Sequence, residues 1–173
     1  GLEHPDLALV LDGLAGIYIA LGRDEDALPL VREALRISEK TLGSEDLDVA
    51  AITINLATIY YREGRYTEAV DLLKRSLTTH EKELGSDNPR VARILSDLSN
   101  VYRDQGDFDG AEALLERALL IYQNVFGYEH PYIPPILHNL ASIYREQGRY
   151  DDAELFITRA LKMNEQLLGR EHP

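Results

Sequence analysis

The hydrophobic positions fall into two alternating stripes of helical period. Within residues 43–84, Val49, Ile52, Leu56, Ile59 and Tyr60 are spaced 3, 4, 3 and 1 apart, which puts them on one face of a helix. Gly64 ends that helix, because a helix commonly closes in the left-handed conformation and glycine adopts it without strain. Ala69, Leu72, Leu73, Ser76 and Leu77 then mark a second amphipathic face, with the small Ala69 on the turn side, where two helices approach closely. Leu84-Gly85 closes the unit. Asp87-Asn88-Pro89 opens the next, a capping residue followed by proline in the first turn, where a missing N–H costs nothing. His4-Pro5 and His130-Pro131 repeat this punctuation, while Asp46-Leu47 departs from it.

The whole pattern recurs without insertion or deletion. Gly1, Gly43, Gly85, Gly127 and Gly169 are each 42 residues apart, which defines repeats 1–42, 43–84, 85–126 and 127–168 and the start of a further repeat at 169–173. Besides that glycine, five positions never change among the four repeats: Leu14, Leu56, Leu98, Leu140; Tyr18, Tyr60, Tyr102, Tyr144; Gly22, Gly64, Gly106, Gly148; Ala27, Ala69, Ala111, Ala153; and Leu35, Leu77, Leu119, Leu161. One hairpin cannot bury its apolar face alone, but stacked hairpins can. The expectation is an all-α fold: a single array over 1–173, a right-handed α-solenoid of four helix-turn-helix repeats, eight helices and no strand. The four repeated tyrosines are expected to be buried between hairpins.

Some residues work against the helices they occupy. Pro134-Pro135 fall inside the expected seventh helix and predict a late start or a bend, and Pro29 predicts one lost hydrogen bond in the second helix. Gly13 and Gly16 each weaken the first helix by about 1 kcal/mol relative to alanine, a cost explained by close packing against a preceding unit or by a widened pocket for a bulky ligand side chain. The chain opens without an initiator methionine or a basic, apolar leader, so a piece of a longer array is expected.

The run Asn139-Leu140-Ala141-Ser142-Ile143-Tyr144-Arg145-Glu146-Gln147-Gly148-Arg149-Tyr150, followed by Ala153-Glu154 and Arg159-Ala160-Leu161, resembles the tetratricopeptide repeat. The 42-residue period with Leu-Gly-x-x-His-Pro between units is similar to the longer subclass found in kinesin light chains. The resemblance implies a non-catalytic scaffold that binds a protein or an extended peptide in a concave groove lined by the first helix of each repeat.

With Leu56, Ile59 and Tyr60 turned to the core, the opposite stripe of that helix holds Ala51, Ile54, Asn55, Thr58, Tyr61 and Arg62. Carried through the period, the predicted peptide-binding residues are Asn55, Thr58, Tyr61, Arg62, Arg93, Asn100, Arg103, His138, Asn139, Ser142 and Arg145. Asparagine amides donate and accept at once, which suits the backbone of an extended peptide. Arginine forks suit carboxylates, so an acidic peptide with an apolar anchor is expected. The plainer alternative is a solvated face on which Arg103 and Arg145 pair with neighbouring acids. A clamp for a chaperone's terminal carboxylate is not expected, because the stripes carry no lysine and Asp12, Ile54, Ser96 and His138 stand where the clamp lysine would begin.

Charge sharpens this picture. Eighteen basic residues face 30 acidic ones for a net charge of −12, which argues against nucleic acid. The stripes hold Arg62, Arg93, Arg103 and Arg145 against Asp12, Asp97, Asp104 and Glu146, so the groove is the least acidic surface. No apolar run approaches the roughly 18 residues of a membrane span. The absence of cysteine fits a reducing compartment, hence the cytoplasm, and removes thiolate metal ligands.

No phosphate loop, nucleophile elbow or His-Glu-x-x-His is present, so neither catalysis, a metal nor a cofactor is expected. His4, His130 and His172 fall one per inter-repeat turn and read as caps; His80 reads as solvent-facing, and His138 is the histidine placed to touch a ligand. A rival reading is a structural, self-assembling solenoid, natural or engineered, with no peptide ligand; a repeat-built enzyme such as a phosphatase comes third. The stripe with Phe156 and Leu161 on the last hairpin lacks a covering helix, and the first helix begins in phase with it. Head-to-tail self-association is therefore expected.

Overall fold

His4 starts helix α1 (Pro5–Ala20): its Nδ1 accepts the Asp6 N–H at 3.2 Å. The same contact opens the other repeats. Asp46 caps α3 (Leu47–Arg62) through Asp48 N at 2.8 Å, Asn88 caps α5 (Pro89–Asp104) through Arg90 N at 2.9 Å, and His130 accepts from Tyr132 N at 3.3 Å. Asp46 thus departs from the punctuation in sequence but does the same work.

The second helices of the hairpins are α2 (Asp24–Leu42), α4 (Tyr66–Leu84), α6 (Phe108–Phe126) and α8 (Tyr150–Glu171), and the remaining first helix is α7 (Ile133–Glu146). The computed structural model describes residues 4–171, and these form eight helices and no strand. Gly1 and His172, which the period assigns to inter-repeat positions, lie outside the described residues. Gly169 sits within α8, whereas Gly43, Gly85 and Gly127 close the earlier second helices with positive φ. No helix among the described residues is long and apolar enough to cross a membrane.

The repeated tyrosine and glycine share a local cause. At the end of α1, Gly22 (φ 70°) donates to Ile19 O at 3.0 Å, and Arg23 N donates to Tyr18 O at 2.8 Å. This pair of bonds satisfies two end carbonyls that the helix leaves open, and only glycine takes the intervening left-handed turn without strain. Gly64, Gly106 and Gly148 repeat it. The guanidinium of Arg23 lies over Tyr18 at 4.4 Å, that of Arg65 over Tyr60 at 3.6 Å, and that of Arg149 over Tyr144 at 4.1 Å. The tyrosines are therefore not uniformly buried. Tyr144 is buried, while Tyr18, Tyr60 and Tyr102 keep a partly exposed edge.

The repeats gather into two compact units, Gly1–Ser86 and Asp87–Pro173. In the first, α3 packs on both α1 and α2. Its core combines Ala8, Ala15, Ile19, Ala27, Val31, Ala34 and Ile37 with Ile52, Leu56 and Ile59. His80 is buried here rather than solvent-facing. Its Nδ1 lies 2.8 Å from Ser76 O, and Ser76 Oγ donates to Ala50 O at 2.8 Å, so the ring is satisfied by its own helix and can leave water.

In the second unit, α7 packs on α6, with Leu115, Ala118 and Ile121 buried alongside Ile133, Leu137 and Leu140. Around the turn between α6 and α7, Phe126 stacks on His130 at 4.3 Å and Tyr122 meets Tyr132 at 5.2 Å. One 42-residue period beyond Pro89 is Pro131, yet α7 begins at Ile133, two residues late. Pro134 and Pro135 thereby fall in its first turn, where their missing donors are unused. Pro29 sits inside α2, which remains one element from Asp24 to Leu42.

A Cβ added at Gly13 or Gly16 meets nothing within 4 Å, so close packing within this chain is not what those glycines serve. Gly13→Ala and Gly16→Ala should each stabilise the protein by about 0.5–1 kcal/mol, through propensity and a less flexible unfolded chain. A lowered midpoint in urea unfolding would contradict this.

Candidate protein-interaction surface

In the first unit, two predicted site residues are engaged within the fold. Asn55 Nδ2 donates to Asp12 Oδ1 at 2.8 Å, and Arg62 Nη1 donates to Ile19 O at 2.7 Å and to Asp24 Oδ1 at 2.8 Å. Both tie α3 to the preceding hairpin, and Arg62 does so at the carbonyl end of α1, where a cation is favoured. Burial pushes the Asp12 carboxyl above its usual range, and the Asn55 donor pulls it partly back. Thr58 Oγ1 bonds Ile54 O within its own helix at 3.0 Å, and the Tyr61 ring lies 6.0 Å from Tyr66.

In the second unit, Arg103 is bound through Nε and Nη2 to Asp104 Oδ1 at 2.9 and 2.8 Å, the pairing the plainer alternative anticipates. Asp97, beside Arg93 on α5, is pushed up to about 6 by burial, with the Arg93 charge pulling it down. Asn100 is half-buried on the same helix.

The remaining site residues converge on α7. His138 and Asn139 line a recess of about 520 Å³ with Pro134, Ile157 and Leu161. His138, Ser142 and Arg145 line an adjoining recess of about 340 Å³ with Tyr150, Glu154 and Ile157. Arg145 is exposed, and its guanidinium makes no ion pair or hydrogen bond among the described residues. The α8 contributors escape a reading based on first helices alone. Ile157 stands one or more periods from Val31, Leu73 and Leu115, all buried, so its spacing signals core. Among the described residues no group of three or more His, Asp or Glu could hold a metal ion.

Helices, caps and period together define a tetratricopeptide-type α-solenoid, and comparison with known proteins agrees. The tetratricopeptide repeat family profile matches residues 48–119 and 90–166, and a second profile of that repeat matches 7–48. The chain belongs to the tetratricopeptide repeat family, whose members are in general protein-interaction scaffolds. Its structure is similar to BtubC (BKLC) from P. vanneervenii, with 29% identity and a TM-score of 0.86, covering 96% of this chain and 66% of that one. It thus spans slightly less than two thirds of BtubC. It is also similar to a P. anserina protein of nearly identical TPR-like repeats, provisionally assigned as a kinesin light chain, with 28% identity and a TM-score of 0.79, covering 96% and 78% of the two chains. Aspartyl phosphate phosphatase F from Bacillus subtilis shares the fold alone, with 16% identity, a TM-score of 0.79 and coverage of 95% and 42%. No curated protein matches the sequence.

Proposed function

We propose that this chain is a non-catalytic, cytoplasmic scaffold that binds an extended peptide along the first helices of its repeats, preferring an acidic residue beside an apolar anchor. The observation that carries the reading is the recess where the unpaired Arg145 stands with His138 and Ser142 against the apolar surface of Tyr150 and Ile157. A guanidinium in that setting gives a carboxylate a two-pronged contact, and the adjoining side chains give its neighbour an apolar seat. Asn55, Thr58, Tyr61, Arg62, Arg93, Asn100, Arg103 and Asn139 extend the proposed stripe. Arg62 retains donors on Nε and Nη2, because its bonds to Ile19 O and Asp24 both use Nη1.

The net charge of −12 does not prevent this, since screening acts over about 8 Å at physiological ionic strength while the fork works at contact. A peptide library should select acidic over basic sequences. Arg145→Glu should weaken the selected peptide at least tenfold, as expected for loss of a charge-assisted bond worth about 1.5–3 kcal/mol. Glu25→Lys, on an exposed part of α2, should leave it within about twofold of wild type. Selection of basic peptides, or an unchanged Kd for Arg145→Glu, would overturn the proposal.

A further inference from the structure

The turn between α6 and α7 is built from rings. Phe126, Tyr128, His130 and Tyr132 stand where the turn before α3 has Leu42, Ser44, Asp46 and Asp48. The turn before α5 has Leu84, Ser86, Asn88 and Arg90 at these places. Phe126, Tyr128 and Tyr132 are 39%, 68% and 52% exposed. Leu42, Ser44, Asp48, Ser86 and Arg90 are exposed as well, so exposure belongs to the place in the repeat and not to an end of the sequence. The hairpins α5–α6 and α7–α8 flank this turn on either side.

The rings pack on one another and on Tyr122 of α6. Tyr122 meets Tyr132 at 5.2 Å and Phe126 at 6.2 Å, and Phe126 meets Tyr132 edge to face at 5.6 Å. Residues 118–144 contain no lysine or arginine, so this segment brings no cation of its own to them. Burial, and then the neighbouring Tyr132 and Asp97, push the Tyr122 phenol up, which puts the Asp97 carboxylate of α5 beside the cluster. Asp97 makes no hydrogen bond or ion pair among the described residues. Arg93, one turn earlier on α5, is exposed and makes none either.

The chain itself shows what a tyrosine and a carboxylate hold between them. Arg23 lies over Tyr18 and pairs with Asp26, Arg65 lies over Tyr60 and pairs with Glu68, and Arg149 lies over Tyr144 and pairs with Asp152. We infer that the exposed face of Tyr132 and the Asp97 carboxylate take an arginine side chain of a partner protein, which stacks on the phenol and gives Asp97 the donors this chain does not supply. The net charge of −12 draws a basic partner at long range. A guanidinium is planar and more weakly hydrated than an ammonium, so arginine is preferred to lysine. None of these residues lines the recess at Arg145, so the inference goes beyond the acidic-peptide reading and does not rest on it.

Nα-acetyl-arginine methylamide is the probe; it carries no carboxylate, so its binding says nothing of Arg145. Titrated into the 173-residue chain, it should give saturable NMR shifts at the ring protons of Tyr132, Tyr122 and Phe126. The lysine analogue should bind at least about threefold more weakly. Asp97→Asn and, separately, Tyr132→Leu should each weaken the arginine probe by about tenfold. Unchanged helical circular dichroism shows that the variants fold, and Asp97→Ser replaces Asp97→Asn if that one does not. Arg93→Gln should tighten the probe about twofold, because it removes a like charge. Burial raises Asp97 to about 6, so the carboxylate is lost as pH falls, and lowering the pH from 7.5 to 5 should reproduce most of the Asp97→Asn loss. His130→Asn, which installs the residue found at the equivalent Asn88, should keep that response. Shifts spread over acidic side chains and unchanged in Asp97→Asn would mean charge attraction alone and would overturn the inference. Equal binding of the lysine analogue, or a pH response that disappears in His130→Asn, would overturn it too.

Discussion

Tyr144→Ala should lower the unfolding free energy by about 3–5 kcal/mol, and Tyr60→Ala by roughly half as much, although the two tyrosines hold the same place in the repeat. Tyr144 is 3% exposed, and its ring meets Phe156 edge to face at 5.2 Å beneath the Arg149 guanidinium. Truncation there removes a buried aromatic and leaves a cavity among packed neighbours. Tyr60 retains a solvent edge, and its ring is sealed by Arg65, a flexible side chain that can settle into the vacated space. Burial, followed by the Glu112 carboxylate, pushes the Tyr144 phenol up to about 12. Its folded pKa is raised, so this contribution is complete below the unfolded value near 10 and is lost as pH rises through 12. Urea titrations of both variants at neutral pH test the contrast, and equal losses would refute it.

The second large effect concerns the third repeat, which breaks a pattern kept by the others. Arg23–Asp26, Arg65–Glu68 and Arg149–Asp152 are ion pairs three residues apart at the start of α2, α4 and α8. The corresponding pair in the third repeat is Asp107 and Gly110. Here Asp107 caps α6 instead, accepting the Gly110 N–H at 3.0 Å. A Cβ on Gly110 would come within 2.5 Å of Asp107 Oδ2 and 2.7 Å of Tyr102 Cδ2, so the cap requires the glycine.

Gly110→Asp should therefore destabilise the second unit by about 2–3 kcal/mol, through crowding and a like charge beside Asp107. Asp107→Arg should cost about 1 kcal/mol for the lost cap. Together they should return to within about 1 kcal/mol of wild type, since the double variant rebuilds the ion pair of the other repeats and frees the ring of Tyr102 for a cation. A coupling energy below about 0.5 kcal/mol in this double-mutant cycle would show that the two positions act independently.

The candidate surface was legible only in part. That first helices carry the polar stripe followed from the phase of Leu56, Ile59 and Tyr60. Whether a stripe residue is available could not follow from phase, because its partner lies about one period away in sequence and beside it in space. Asn55 is bound to Asp12 and Arg62 to Asp24, 43 and 38 residues distant, whereas Arg145, one period beyond the Asp104-paired Arg103, has no such partner. Ile157 was passed over for the complementary reason: it stands in phase with the buried Val31, Leu73 and Leu115, yet it is 40% exposed.

What the residue order determined by itself was everything held by interactions within about five residues. The three caps at His4, Asp46 and Asn88, the glycine-closed turns at Gly22 and its counterparts, the late start of α7 at paired prolines and the number of helices all belong to it, whereas His130, read as a fourth cap, stands three residues before α7 and does not cap it. A helix end is satisfied or left open by its immediate neighbours, so it can be read from them. The tertiary structure decided how equal positions are used: Tyr144 buried but Tyr60 edged with water, His80 enclosed by its own turn, Arg103 paired and Arg145 open. Repeats identical in phase differ in what packs against them, and burial, partner and protonation follow the packing.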